Sequence, residues 1–253
     1  MSAHARRVKH PTLSFVALAI ALASPALAQD TPGWAGEASL NGSATTGNND
    51  TTDVGFALKL KNRGSDWRHN FALSADYGRS QGDTNKRRYR GSYKIGRDLA
   101  ARVYAFLNTD YYSDDFGAFK NGWYGGGGIG YSALIEGPTL WRIEAGAGYR
   151  RQKARLVPMS VNDPVSRIER FGSARLYSDL EHAFNDNVLF ANDTELFYGD
   201  VDTFFTNESS LTSTLFGSLG VRASFRVETH SDVPEGREKT DTISRIGIVY
   251  TME

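Results

Sequence analysis

Polar and apolar residues alternate with a period of two along most of the chain. In 54–61, Val54, Phe56, Leu58 and Leu60 share one face, and Gly55, Ala57, Lys59 and Lys61 share the other. In 88–96, Tyr89, Gly91, Tyr93 and Ile95 oppose Arg88, Arg90, Ser92 and Lys94. In 219–228, Leu219, Val221, Ala223, Phe225 and Val227 oppose Arg222, Ser224, Arg226 and Glu228. Successive side chains of a strand point to opposite faces, so the pattern predicts strands with one apolar and one polar face. About twelve such segments follow one another, an even number as single-chain bacterial barrels require. They run near 34–45, 52–63, 67–79, 87–97, 101–112, 121–134, 140–151, 167–182, 188–199, 205–215, 219–229 and 240–251. The alternation is weakest in 167–182 and in the Ser/Thr-rich 205–215. No segment has a 3.6-residue period, and no linker divides the chain.

The connections separate a soluble sandwich from a membrane barrel. Those after odd-numbered segments are long (80–86, 113–120, 152–166, 230–239), and those after even-numbered segments are mostly tight (64–66, 98–100, 183–187, 216–218). Long outer loops and short periplasmic turns are the signature of a barrel with both termini in the periplasm. Aromatic residues add to this. Tyr77, Tyr89, Tyr111, Trp123, Tyr131, Trp141, Tyr149, Tyr198 and Tyr250 lie toward segment ends, where amphipathic rings meet the headgroup zone. Strand propensity explains their presence but not that clustering. The expected fold is all-β, an antiparallel up-and-down transmembrane β-barrel of about 12 strands.

Residues 1–28 read as a secretory signal. Arg6, Arg7 and Lys9 precede an apolar run over 13–22, and Ala26-Leu27-Ala28 forms a small-x-small cleavage site. The run is too short to span a membrane comfortably. Arg6-Arg7 lacks the apolar residues expected after a twin-arginine pair, which favours the general secretory route. Domain organisation is then 1–28 signal peptide and 29–253 barrel, placed in the bacterial outer membrane. Its partners would be outer-membrane lipid, lipopolysaccharide and the barrel-assembly machinery; the sequence leaves its oligomeric state open. Cleavage leaves 26 basic and 29 acidic residues, a net charge of −3, which gives no reason to expect nucleic acid. The chain has no cysteine, which excludes a lipoprotein anchor, a disulfide framework and a thiolate nucleophile.

The first hairpin, Gly36-Glu37-Ala38-Ser39-Leu40-Asn41-Gly42-Ser43-Ala44-Thr45-Thr46-Gly47-Asn48-Asn49-Asp50-Thr51-Thr52, places a Gly-Asn turn between two alternating strands. With the Gly-rich 122–131 segment and the Arg-rich 146–151 stretch, it resembles the family of salt-induced outer-membrane proteins, a domain family of unknown function. The resemblance implies an outer-membrane barrel and supplies no substrate, cofactor or catalytic residue. Such barrels usually end in an aromatic residue that the assembly machinery reads. Here Tyr250 is followed by Thr251, Met252 and Glu253, so either the signal is read inside the terminus or insertion is less efficient.

Candidate chemistry is sparse. His230-Ser231-Asp232 puts a base, a hydroxyl and a carboxylate in a row, but triads are built from spatial neighbours, and Pro234 and Gly236 beside it suggest a solvated turn. His69 and His182 have no metal-ligand partner at a recognisable spacing. Asp114-Asp115 and Asn48-Asn49-Asp50 fit cation sites less well than polar turns. The glycines at 125–128 lack the Lys-Ser/Thr and helix of a phosphate loop, and instead suggest close packing. No catalytic, cofactor-binding or metal residue is expected. The informative group is the lumen-facing charge: Arg88, Arg90, Lys94, Arg102, Arg142, Arg150, Arg222, Arg226 and Arg245 on segments 4, 5, 7, 11 and 12, and Asp179, Glu181, Asp193, Glu195 and Glu208 on segments 8 to 10, with Glu144 and Glu228 among the arginines. Either these groups pair across a filled interior, or the two sectors face each other over water and set a transverse field. The function classes are accordingly a passive pore for small polar solutes or ions, a non-conducting structural or envelope-stress barrel, and last an outer-membrane enzyme.

N-terminal sequencing of the protein recovered from a bacterial envelope is expected to begin at Gln29; an intact Met1 terminus would refute the leader assignment.

Overall fold

The computed structural model describes residues 33–46, 51–80, 83–156 and 165–252. The expected leader and the Asn48–Asn49–Asp50 turn lie outside them. Twelve strands follow in order: β1 (Gly33–Thr46), β2 (Thr51–Arg63), β3 (Trp67–Ser80), β4 (Asp83–Ala100), β5 (Val103–Asp114), β6 (Phe119–Leu134), β7 (Thr139–Arg155), β8 (Ser166–Asn185), β9 (Val188–Gly199), β10 (Phe204–Phe216), β11 (Leu219–His230) and β12 (Thr240–Met252). Each pairs with its sequence neighbours, and β12 returns to β1, giving a closed antiparallel barrel. The closing ladder runs from Gly36 opposite Met252 to Thr46 opposite Thr242. No helix occurs among the described residues.

The barrel is inverted relative to a soluble protein. Leu40, Val54, Leu73, Leu107, Ile129 and Ile246 are among the apolar side chains exposed on the outer face. Trp34, Trp67, Tyr131 and Trp141 ring the end that holds the termini, while Tyr77, Tyr89, Tyr111, Trp123, Tyr149 and Tyr198 ring the end that holds the hairpin loops, all exposed. Two aromatic girdles around an apolar band match a bilayer, with hydrocarbon at mid-height and headgroups at both rims. The buried positions are mostly polar, among them Asp53, Lys86, Glu144, Gln152, Arg175 and Glu228.

The strands outrun the membrane. A tilted spanning strand needs about 9–11 residues, whereas β4 has 18 and β8 has 20. The expected loop 80–86 is therefore mostly strand, since β3 runs to Ser80 and β4 starts at Asp83, and the expected loop 152–166 yields strand at both ends, since β7 runs to Arg155 and β8 starts at Ser166. Ladder pairing of β8 with β9 begins only at Ser173, and of β4 with β5 only at Arg88. Residues 166–172 and 83–87 are thus paired on one side. In β8 the apparent loss of alternation resolves here. Glu169, Phe171, Ser173 and Arg175 are buried inward, and Arg170, Gly172 and Ala174 face out.

The glycines of β6 and β7 flatten one wall so that rings can lie against it. A Cβ on Gly130 would meet the Tyr104 ring at 2.1 Å, one on Gly122 the Tyr112 ring at 2.4 Å, and one on Gly148 the Tyr124 ring at 2.6 Å. At Gly128 the obstacle is backbone, the Ala145 carbonyl at 2.1 Å, whereas Gly172 has nothing within 4 Å. Gly128→Ala is expected to destabilise the barrel by about 1–3 kcal/mol, the ordinary cost of overpacking, and Gly172→Ala to be neutral. Thermal midpoints from heat-dependent gel mobility would compare the two.

Candidate functional site

The lumen is crossed at three heights. At the loop end, the connection between β5 and β6 meets that between β11 and β12, although these hairpins lie on opposite sides of the ring. Phe119 packs against His230 with centroids 4.7 Å apart. Ala118, Phe119 and Ala154 form an apolar cluster with Val233. Arg237 donates to the Phe116 carbonyl at 3.2 Å, and Arg155 donates to the carbonyls of Asp115 and Gly117 at 2.7 and 3.2 Å. Asp114 shapes the turn by accepting from the amides of Phe116 and Gly117, both at 2.9 Å.

Below this lid, Glu228 of β11 accepts from Arg88 and Arg90 of β4, each at 3.3 Å, and pairs with Arg226 at 2.8 Å. β4 and β11 are not neighbours in the sheet, so these bonds span the interior. Arg88 also holds Asp114 at 2.7 Å. Arg226 reaches Glu208 at 3.3 Å, and Arg245 reaches Asp76 at 3.3 Å. Alongside, Lys86 and Asp53 form a fully buried pair at 2.6 Å, with Thr45 accepting from Lys86 at 2.9 Å. At mid-height Glu144 gathers Lys94 at 2.6 Å, Arg175 at 2.7 Å and the Tyr104 hydroxyl at 2.8 Å, and Arg175 continues to Glu195 at 2.6 Å. Tyr177 donates to Asp193. At the terminus end Arg142 pairs with Asp179 at 3.2 Å, Arg222 with Glu37, and Lys61 of β2 with Glu181 of β8, again across the ring, at 3.7 Å.

Two expectations need correction. Arg102 is not on the wall. Residues 101–102 form the turn between β4 and β5, and Arg102 is exposed there, donating to the Ala133 carbonyl at 3.1 Å and facing Glu136 of the next turn at 3.8 Å. The segment begins two residues later because the tight turn consumes them. The separation into basic and acidic sectors also dissolves in space. Glu144 and Glu228, the two exceptions in sequence, are the points on which several cations converge, which a short side-chain reach in a narrow interior makes favourable. Arg175, Asp76, Glu37 and the Lys86–Asp53 pair were missed by sequence reasoning. For two of them the signal was parity: Arg175 shares the inward phase of β8 with Asp179, and Lys86 that of β4 with Arg88.

His230 ends β11, and Ser231 and Asp232 form the expected exposed bend after it, but the segment is tied down. Asp202, buried in the connection between β9 and β10, accepts from His230 Nδ1 at 2.6 Å, from Ser231 Oγ at 3.4 Å and from the Asp232 amide at 3.4 Å. Ser231 Oγ accepts from the Thr203 amide at 2.7 Å. The serine and the histidine therefore both serve Asp202, an arrangement that ties two loops together. Burial pushes the Asp202 carboxyl up, but the His230 hydrogen bond and charge and the Asp232 amide outweigh it, and the net displacement is downward. His69 and His182 bond to the Tyr93 hydroxyl at 2.9 Å and to Thr139 at 2.8 Å. No group of three or more candidate metal ligands occurs among the described residues.

With this geometry in hand, the relatives can be placed. The model of the family described as "Protein of unknown function, DUF481" matches residues 38–252. The chain belongs to the DUF481 family. No curated protein matches it by sequence. Among solved structures, the NanC porin superposes with a TM-score of 0.53 at 12% identity, covering 85% of this chain and all of that one. The KdgM porin, solved with disordered oligogalacturonate, gives 0.46 at 9% identity, over 86% and 99%. The translocator domain of autotransporter NalP from Neisseria meningitidis gives 0.49 at 12%, over 87% and 89%. The NanC likeness shows that this DUF481 chain has a porin-like barrel fold. The family description names no activity, so the chemistry of this member rests on its own interior.

Because Asp202 is held below its unfolded value, its contribution to stability is present above about pH 3.9, the ordinary carboxylate value, and is lost as the pH falls through the depressed folded value. Asp202→Asn is expected to cost about 1.5–3 kcal/mol at neutral pH, as loss of a charge-assisted hydrogen bond does. The difference in thermal midpoint between variant and wild type should shrink on going from pH 7 to pH 3; a constant difference would show that the charge of Asp202 is not what holds the loops.

Proposed function

We propose that this protein is an integral outer-membrane barrel that acts as a narrow passive conduit for ions and small polar solutes. Export depends on the 1–28 leader, insertion on the barrel-assembly machinery, and the outer face is solvated by membrane lipid and lipopolysaccharide. The observation that carries this reading is the state of the inner wall. Charged groups line it from rim to rim, and several keep contact with water, Arg90 at 31% and Glu208 at 27% side-chain exposure. A wall of this kind beneath an apolar exterior holds hydrated ions more readily than a dry core does. Arg88, Arg90, Arg226 and Glu228 form the constriction. Lys94, Arg142, Arg150, Asp179, Glu181, Asp193, Glu195, Arg222 and Arg245 tune the field along the passage, and Arg102 does not take part. No enzymatic step belongs to this reading.

A second reading rests on the bonds from Arg88 and Arg90 to Glu228 and on the loops that meet above them. If these are permanent, the barrel is a non-conducting structural element of the envelope.

Conductance in a planar bilayer decides between them. Detergent-refolded protein is expected to give small, discrete, salt-dependent steps. Glu228→Gln removes the negative charge shared by three arginines and turns one acceptor oxygen into a donor, and should loosen the constriction and raise the step size several-fold. It should also cost about 3–5 kcal/mol, as breaking a buried ion pair does. Silence from both proteins, each shown to be folded by its heat-dependent gel shift, would support the structural barrel.

A further inference from the structure

Three cations stand together on the outer face, at the loop end of β7 and β8. Arg151 and Lys153 continue the outward phase of Trp141, Ile143 and Tyr149, whereas Arg150 and Gln152 are buried on the inward phase. Arg170 is exposed on the outward phase of Gly172 and Ala174. The ladder sets Arg151 directly opposite Arg170 on one side and opposite Trp123 on the other. Lys153 is the next outward residue after Arg151, diagonal to Arg170.

Like charges directly opposed across a sheet are destabilising, because their Cβ atoms lie only about 4.5–5.5 Å apart. The surrounding strands do not offset the clash. No outward position of β5 to β9 carries Asp or Glu. Glu169, beside Arg170, is buried on the inward phase and is engaged by Gln152 and Arg167. Asp115 is engaged by Arg87, and Asp200 follows the end of β9. Among the described residues none of the three cations has an ion pair. Asp163, in the connection outside those residues, is a single carboxylate against three cations. The cluster therefore suits a ligand with more than one negative charge.

Depth in the membrane gives the source of that ligand. Trp123 and Tyr149 belong to the aromatic girdle at the loop end, the level at which ring edges meet headgroups. The three cations sit on the water side of those rings. On the membrane side of Arg170 the wall is low: Gly172 and Ala174 are exposed, Ala147 lies opposite Ala174, and a Cβ on Gly172 would meet nothing within 4 Å. An acyl chain can lie along this surface while its headgroup reaches the cations. Guanidinium forks match phosphate oxygens in pairs, and a phosphate monoester carries about 1.5–2 negative charges at neutral pH. We propose that Arg151, Arg170 and Lys153 form a docking site for the phosphorylated headgroup of lipopolysaccharide. The two arginines straddle one phosphate, and Lys153 adds a point charge. The proposal rests on the outer-membrane placement in the reading above and not on conduction.

Titration of the full refolded barrel in detergent with diphosphorylated lipid A, the lipid anchor of lipopolysaccharide, tests this, with occupancy read by native mass spectrometry. The lipid is expected to bind. The same lipid stripped of its phosphates should bind at least about tenfold more weakly, since each cation is worth about fivefold at a charged lipid surface. Inorganic phosphate at millimolar concentration should not displace it. Arg170→Gln should weaken lipid A about fivefold, and Arg151→Gln combined with Arg170→Gln about 25-fold. These substitutions remove opposed like charges, so the thermal midpoint without lipid should stay unchanged or rise. Arg102→Gln removes one charge at the opposite rim and should leave the affinity as it was. Equal affinity in the double variant would overturn the proposal, as would equal binding of the stripped lipid. A matching loss on Arg102→Gln would reduce the effect to net charge and overturn the site. Displacement by inorganic phosphate would overturn the assignment to a lipid. A silent bilayer with lipid A binding intact would remove the conduit and leave the site, and conductance with no preference for the phosphorylated lipid would do the reverse.

Discussion

A sheet that faces hydrocarbon cannot keep an edge. Each unpaired amide or carbonyl left in lipid costs several kcal/mol, so the last strand must find the first. Here β12 closes on β1 over the ladder from Gly36–Met252 to Thr46–Thr242, and the rest of the architecture follows from that closure. Closure fixes an inside and an outside, and the period of two then sends every second residue to each. Leu, Ile and Val can face lipid only because Asp, Glu, Arg and Lys have an interior to occupy.

That interior is too narrow for isolated charges. A dozen strands enclose less space than the open sixteen-stranded porins, and the side chains of opposite strands meet, Arg88 and Arg90 with Glu228 near one end and Lys61 with Glu181 near the other. Neighbouring charges polarise and compensate one another in this setting. Glycine makes the compensation possible on the β6–β7 wall. With side chains at Gly122, Gly130 and Gly148, the rings of Tyr112, Tyr104 and Tyr124 would have no place to lie, and Tyr104 could not donate to Glu144.

The strand count, the order of elements and the inward phase of most charges were legible in the sequence, because period-two alternation is a direct image of the fold. Strand ends were less so. Residues 83–86 and 152–155 are polar enough to read as loop, yet they pair as ribbon beyond the apolar band, where neither face need be apolar. The partners of each charge were illegible for a different reason. Which carboxylate meets Arg88 depends on ring closure, which juxtaposes β4 and β11 across 140 residues of chain. The setting of Arg150 has the same origin. The sequence places an arginine inside, but only the folded ring lays it on the faces of Phe197 and Phe204.

The one-sided ribbons carry a consequence of their own. Where β8 rises past the end of β9, and β4 past the end of β5, the closure that protects the barrel stops and bare strand edges emerge into water. Such edges invite a second molecule to add its own strand, a hazard in a membrane crowded with identical neighbours. Both carry exposed cations, Arg167 and Arg170 on β8 and Arg87 on β4. Two copies brought edge to edge would set like charges against each other before their backbones could pair. The same residues that look like ordinary surface charge thus act as spacers, keeping adjacent barrels soluble in one another's company.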